Sequence, residues 1–551
     1  MTEIHGLCDR YTADLAELDP IAATNAGIVG YDDRLSDYSP EGHEARADLA
    51  RRAVRELAAA TPVDDRDRVA AAVLTERAGR VVALHEAGLD LAALNIVASP
   101  VQQVRMVFEL MPKETAADWH AVLRRLSGVQ DALDGVRQSL SKAAAGGKVA
   151  ARRQVHRVAD QCNHWAGAVF DALAEEARAV AGAPCAELMA AATAAATAYG
   201  EFAGYLRTEL TPVSRAANAV GEDDYRLWLG TFLGDDPDPR DAYEWGWDEL
   251  DRLEAEIQRT VTEIGAGAST SETAAALDAD PRYQLLGRKQ FQKWLRSQQD
   301  HALRGLDGVH FEITETVRRL ENRVSAEQGG VVAYYTPPTS DLARPGQIWW
   351  SGRDDNELFT TWRERSVLYH EGVPGHHLQA VAAIAQGDRL TRFQRELCEV
   401  PGHNEGWALY AERLMDELGY LDDPADRFGM LVSQHYRAAR VILDVGLHLE
   451  LRIPRGVGFH DGERWTPRLA LAFLLNRTAV AGRNILYEVD RYLGWPGQAP
   501  SYKLGERAWV ATRDEVCRRL GSDFDLTSFH RSALEMGPMG LRTLRDWAGL
   551  L

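Results

Sequence analysis

The segment Tyr369-His370-Glu371-Gly372-Val373-Pro374-Gly375-His376-His377-Leu378-Gln379 packs three histidines, a glutamate and a Pro-Gly pair into eleven residues. A zinc-hydrolase helix carries HExxH, two histidines one turn apart with a glutamate beside the metal's water. Here the first His-Glu is followed by a second histidine only at +6 or +7. At 100° per residue, +6 lies well off the face of His370, and +7 returns to that face about 10.5 Å along the axis. Pro374 lacks an N–H and its ring clashes with a preceding carbonyl, so a regular helix is distorted here. A two-residue bulge across Gly372–Gly375 brings His376 to the place of the second histidine. His370 and His376 are therefore the preferred ligands, with His377 the open alternative.

Working outward, six of the chain's sixteen histidines fall between His370 and His448, and histidine is the commonest metal ligand. Residues 403–415, HNEGWALYAERLM, offer Glu405 near a helix start and Glu412 on roughly the same face two turns on. A downstream glutamate completes the His₂Glu catalytic zinc set and leaves the fourth position to water, with Glu371 as the general base. Taken alone, each piece has a plainer reading. His85-Glu86 is a second His-Glu pair with no such partner. EGWALYAE is an ordinary amphipathic helix with Trp407, Leu409 and Leu414 as core. The conjunction is what points to a metal.

Most of the remaining chain reads as helix. Residues 41–60 and 115–145 space apolar side chains by three and four, and the Ala-rich run 186–199 has high helix propensity. The stretch 265–281, GAGASTSETAAALDADP, breaks this pattern and offers a Ser-Glu helix start, so the division falls there, into 1–265 and 266–551. Val331–Thr336 and Gln347–Trp350 flank a Pro/Asp/Gly turn and read as a β-hairpin. The fold class is mainly α. The five cysteines lie far apart with no CxxC pair, which argues against a cysteine zinc site or disulfide framework and fits a reducing compartment. A net charge of −20 disfavours nucleic acid as a partner. No stretch approaches 18 uninterrupted apolar residues and no basic-then-apolar leader opens the chain, so no membrane partner and a cytoplasmic location are expected.

HEGVPGHHLQ followed by EGWALYAE resembles the bacterial domain of unknown function 885, metallopeptidase-like proteins of the gluzincin type. The resemblance extends to LDPIAATNAGIVGYDDRLSDYSPE (18–41), GEDDYRLWLG (221–230), DAYEWGWDELDRLEAEI (241–257), RAARVILDVGLH (437–448) and PGQAPSYKLGE (496–506). That family is distantly similar to angiotensin-converting enzyme and the thermostable carboxypeptidases. The resemblance implies a helical two-lobed fold with a deep central cleft and a small β-hairpin near the active site. It also implies one zinc ion per chain, and aligning HE-GVP-GHHLQ with HExGH again selects His376.

Under this resemblance Tyr502 matches the oxyanion-donating tyrosine of the peptidases, with packing at a helix start as its plainer role. Arg440, Lys503 and Arg437 are candidates to pair with a substrate carboxylate. His448, one turn from Asp444, is a further candidate donor. Tyr335 and His377 are candidates to line the substrate site, beside an edge strand able to pair with an extended peptide. Three functions compete: a zinc peptidase acting on short peptides, a zinc amidohydrolase acting on one small metabolite, and a non-catalytic binding protein on a peptidase scaffold. Intact His370, Glu371 and Glu405 favour the first two. The sequence leaves the oligomeric state open, a homodimer included.

Overall fold

A computed structural model of the chain describes residues 2–325, 333–339, 342, 344–352, 357–478 and 485–549. The architecture is mainly α, with short strands confined to residues 284–360. Two compact units emerge. The first comprises the chain up to Trp228 with Thr391–Leu397 and Tyr487–Pro496. The second comprises Leu229–Leu390, Cys398–Leu486 and the chain from Gly497 onward. Gly265, where the sequence places the division, lies inside the second unit and ends the helix Pro239–Ile264 in a left-handed conformation.

The first unit is a helical assembly. Residues 41–60 form Pro40–Ala59, opened by Pro40 behind a Ser39 cap. The run 115–145 forms two helices, Ala116–Ser127 and Val129–Ala145, parted at Gly128. Ala-rich Cys185–Tyr205 buries Ala192, Ala195, Tyr199 and Ala203 in a core shared with Val155, Val158 and Phe170. Small side chains let this helix sit close to its neighbours, and the aromatics fill the remaining volume.

The second unit holds the sheet and every residue of the His-Glu motif. Strand Ala333–Thr336 pairs antiparallel with Gly346–Ser351, placing Tyr335 opposite Ile348. The hairpin is therefore present, although Val331 and Val332 of the expected run lie outside the described residues. The sequence reading missed a third strand, Leu320–Ser325, which lies parallel to Gly346–Ser351. Its LENRVS sequence carries no clean alternation, and parallel pairing leaves no turn signal between partners. Ile348 and Trp350 on the inner face pack with Leu368, Phe291 and Phe359. Leu368 belongs to the helix Thr361–Glu371, so the sheet braces the helix that ends in His370-Glu371. The Ser-Glu start in 265–281 is a true cap: the Ser269 hydroxyl accepts from Glu272 N–H at 3.2 Å.

Candidate metal centre

The helix Thr361–Glu371 stops where Pro374 requires it to, and a new helix, His376–Ala385, starts after a four-residue turn containing a cis Val373–Pro374 bond. The expected bulge within one helix is thus replaced by a break between two. The turn is held from inside, since Gly375 N–H donates to Tyr369 O at 3.0 Å and His377 N–H to Gly372 O at 3.0 Å. A Cβ at Gly375 would overlap the carbonyl oxygens of Tyr369 and His370, so only glycine lets the chain fold back this tightly. From the helix Pro401–Glu417, Trp407 Nε1 donates to Pro374 O at 2.9 Å and fixes the turn against the helix that carries Glu405. Trp407, Leu409 and Leu414 are fully buried, as expected. That helix crosses Ser501–Leu520 with Gly406 against Gly505, where a Cβ on either residue would overlap the other's backbone.

This folding brings His370, His376 and Glu405 together. Glu405 Oε2 lies 3.3 Å from His370 Nε2 and 3.6 Å from His376 Nε2, and the two imidazoles meet edge to face at 4.8 Å. Each of the three offers a ligand atom within 4.8 Å of the others, the one such grouping among the described residues. Glu371, the last residue of its helix, is buried at 9% exposure, and that burial pushes its carboxyl up from the ordinary range. Burial opposes the charge on Glu405 as well, but His370 and His376 hold its carboxyl well below the usual value.

Glu412 takes a role the sequence reading did not assign. At 1% exposure it accepts from His370 Nδ1 at 2.8 Å. It also accepts from Ser366 Oγ at 2.9 Å and Gln434 Nε2 at 3.3 Å, and Arg437 Nη1 stands 3.7 Å away. A carboxylate on Nδ1 fixes the ring and turns Nε2 toward Glu405. The signal was available, because Ser366 lies one turn before His370 and Glu412 two turns after Glu405. Burial disfavours the His370 cation, yet the flanking carboxylates of Glu405 and Glu412 raise its pKa to about 9.

His377 points away from Glu405 into bonds of its own and is not part of the His370, His376 and Glu405 grouping. It is fully buried, and its Nε2 lies 2.9 Å from Val317 O, so that nitrogen must carry the proton. Nδ1 is then the acceptor for Tyr335 Oη at 2.9 Å, and burial lowers the imidazole to about pKa 4. Both of its nitrogens are used inside the protein. Tyr335 thereby spends its hydroxyl on His377 and stacks its ring on His376, 6.4 Å between centroids. It buttresses the centre.

Lys503 is withdrawn as a substrate-binding cation. At 1% exposure its ammonium contacts Gln434 Oε1 and Glu249 Oε1 at 2.8 Å each, and Glu506. His448 is fully buried at the end of the helix Pro424–His448. It lies eleven residues beyond Arg437, about 16 Å further along the helix axis. The Tyr502 ring lies 5.9 Å from the Arg437 guanidinium and 5.1 Å from that of Arg440.

The profile of a family described as "Bacterial protein of unknown function (DUF885)" matches residues 20–547. Among curated proteins none matches the chain. Two solved structures share the fold across essentially their whole length. One is a "putative lipoprotein" from Colwellia psychrerythraea, 22% identical with a TM-score of 0.84, covering 100% of this chain and 98% of that one. The other is a "putative lipoprotein of unknown function" from Shewanella oneidensis, 17% identical with a TM-score of 0.75 and 99% of each chain covered. Among the described residues no helix is long and apolar enough to cross a membrane.

Proposed function

The chain belongs to the bacterial family of unknown function DUF885, and from that premise we propose that it is a zinc-dependent hydrolase of peptide or amide bonds. One observation carries the reading. Glu405 Oε2 is a buried oxygen with no hydrogen-bond partner, although two imidazole nitrogens face it. Zinc bonds of about 2.0–2.2 Å in a tetrahedral set separate neighbouring ligand atoms by about 3.3–3.5 Å. The 3.3 and 3.6 Å separations here match that spacing better than they match hydrogen bonds. His370, His376 and Glu405 would hold the ion and leave a fourth position open, the catalytic arrangement. The ligand order also supports kinship with the gluzincin-type peptidases.

A zinc ion bound there supplies Lewis acidity, polarising a substrate carbonyl and making a water acidic near neutral pH. The protein's own groups do the rest. Glu371 takes a proton from the attacking water and returns it to the departing nitrogen, a task its raised carboxyl pKa suits. Glu412 keeps His370 in the tautomer that presents Nε2. Tyr502 offers a phenol donor to the carbonyl oxygen as negative charge develops on it.

Metal analysis of the purified protein should give one zinc per chain, with near-complete loss in His370→Ala and Glu405→Ala. Glu371→Gln should keep its zinc and lose several orders of magnitude in turnover. Stoichiometric zinc in either ligand variant would overturn the proposed ligand set. Five free cysteines accord with a cytoplasmic location for this chain, whereas the two structural relatives are described as lipoproteins. Subcellular fractionation that recovers the protein with membranes would reverse the assignment of compartment.

A further inference from the structure

Lysine is rarely enclosed, because a buried ammonium is costly unless charges and hydrogen bonds compensate it. Lys503, at 1% exposure in the first turn of the helix Ser501–Leu520, faces the carboxylates of Glu249 at 2.8 Å and Glu506. An ammonium between two carboxylates has its ionic compensation without a third partner. Its remaining donor nonetheless goes to a neutral group, Gln434 Oε1, at 2.8 Å, and Gln434 is itself fully buried. The other end of that amide meets the metal centre. Gln434 Nε2 donates to Glu412 Oε2 at 3.3 Å, and Glu412 Oε1 holds His370 Nδ1 at 2.8 Å. A buried chain of hydrogen bonds thus runs from Lys503 through Gln434 and Glu412 to His370. We propose that Lys503 is a positioning residue of the metal centre: it fixes the Gln434 amide, which fixes Glu412, which orients His370. The proposal rests on the reading of the centre as a zinc site.

The two ends of a glutamine amide are nearly alike in shape, so its direction is set by what it faces. An ammonium only donates, and it therefore holds Oε1. Nε2 is then turned to two acceptors, Glu412 Oε2 and Leu409 O at 3.4 Å. Positive charge at Oε1 polarises the amide and strengthens its N–H as a donor, as hydrogen bonds in a chain do in a buried setting. Together with Ser366 Oγ at 2.9 Å, this N–H occupies Glu412 Oε2. Oε1 is left for His370 and the more distant Arg437, and His370 Nε2 is thereby directed at Glu405, 3.3 Å away. The chain draws on three helices, with Lys503 in Ser501–Leu520, Gln434 in Pro424–His448 and Glu412 in Pro401–Glu417. Their packing assembles it, which is why a lysine so far from His370 in sequence acts on its orientation.

The test is a double-mutant cycle on the full-length protein, read as zinc affinity in competition with a chromophoric chelator. Lys503→Met removes the charge and keeps most of the side chain's length, whereas Gln434→Leu removes the amide and leaves Lys503 its two carboxylates. Each change alone should weaken zinc binding about threefold to tenfold, at or below the cost of the nearest outer partners of a metal ligand. In a Gln434→Leu protein, Lys503→Met should cost nothing further. Losses that multiply in the double variant overturn the relay. Full zinc affinity in a folded Lys503→Met overturns it equally, since a lysine that only joins helices lowers the urea midpoint and leaves metal binding alone. Where Lys503→Met fails to fold because it strands two buried carboxylates, Lys503→Met with Glu506→Gln, compared with Glu506→Gln, takes its place in the cycle. An unaltered protein that takes up no zinc overturns the zinc reading and the proposal with it. A zinc-binding protein indifferent to Lys503 overturns the proposal alone.

Discussion

Glu412→Gln separates a carboxylate that orients the centre from one that ligates the metal. Four groups face the Glu412 carboxylate: His370 Nδ1 at 2.8 Å, Ser366 Oγ at 2.9 Å, Gln434 Nε2 at 3.3 Å and Arg437 Nη1 at 3.7 Å. The first three donate hydrogen bonds, and the Arg437 guanidinium adds its charge. A glutamine keeps one acceptor oxygen and places an N–H₂ among donors, so some of these bonds must be lost in a site of 1% exposure. The remaining oxygen can still receive His370 Nδ1, which preserves the ring orientation and loses the charge assistance. Removing such an outer partner costs tenfold to hundredfold in metal affinity, about 1.4–2.7 kcal/mol. Zinc competition against a chromophoric chelator near neutral pH measures this directly, with Glu405→Gln alongside. Glu412→Gln should bind zinc measurably but weakly, and Glu405→Gln should bind almost none. An unchanged affinity in Glu412→Gln, or a loss as complete as that of Glu405→Gln, would refute the division of labour between the two glutamates.

Tyr502→Phe removes one donor and keeps the ring against which Arg437 and Arg440 pack, so kcat should fall about 10²–10³-fold while KM and zinc content barely move. A rise in KM at constant kcat would make the hydroxyl a binding group. His377→Ala should keep stoichiometric zinc but lose about 2–4 kcal/mol in urea denaturation, because Val317 O and Tyr335 Oη lose their buried partner; loss of zinc would restore His377 as a ligand. In the first unit, burial opposes the Asp90 charge, but hydrogen bonds from His43 and His85 bring its carboxyl down to about 2. A folded pKa below the unfolded value of about 3.9 gives stability that is complete above that value and lost as pH falls through about 2. Asp90→Asn should therefore cost up to about 2 kcal/mol at neutral pH, and its deficit should shrink below pH 4, as followed by denaturant unfolding. A deficit independent of pH would rule out the charge as its source.

The sequence alone determined the elements whose causes are local. Apolar spacing marked the helix at 41–60, alanine propensity the helix at 186–199 and a Ser-Glu pair the cap at Ser269, because each acts within a few residues of itself; Pro374 marked only a distortion after His370-Glu371, which proved to be a break between two helices. The candidate metal set was also legible, since His370, His376 and Glu405 stand at ends or first turns of elements whose register can be counted. Only the tertiary structure decided between His376 and His377, adjacent residues with the same chemistry. Val317 O and Tyr335 Oη, brought up by other elements, consume both nitrogens of His377 and leave His376 facing Glu405. The same cause separates the glutamates: Glu405 and Glu412 share a helix face, but the position of His370 between them assigns one to Nε2 and the other to Nδ1. It also withdraws Lys503, which Glu249, Gln434 and Glu506 enclose from three directions. A side chain's type is written in the sequence, whereas its partner depends on which element packs against it, and that is settled only when burial obliges each polar group to find an acceptor or donor.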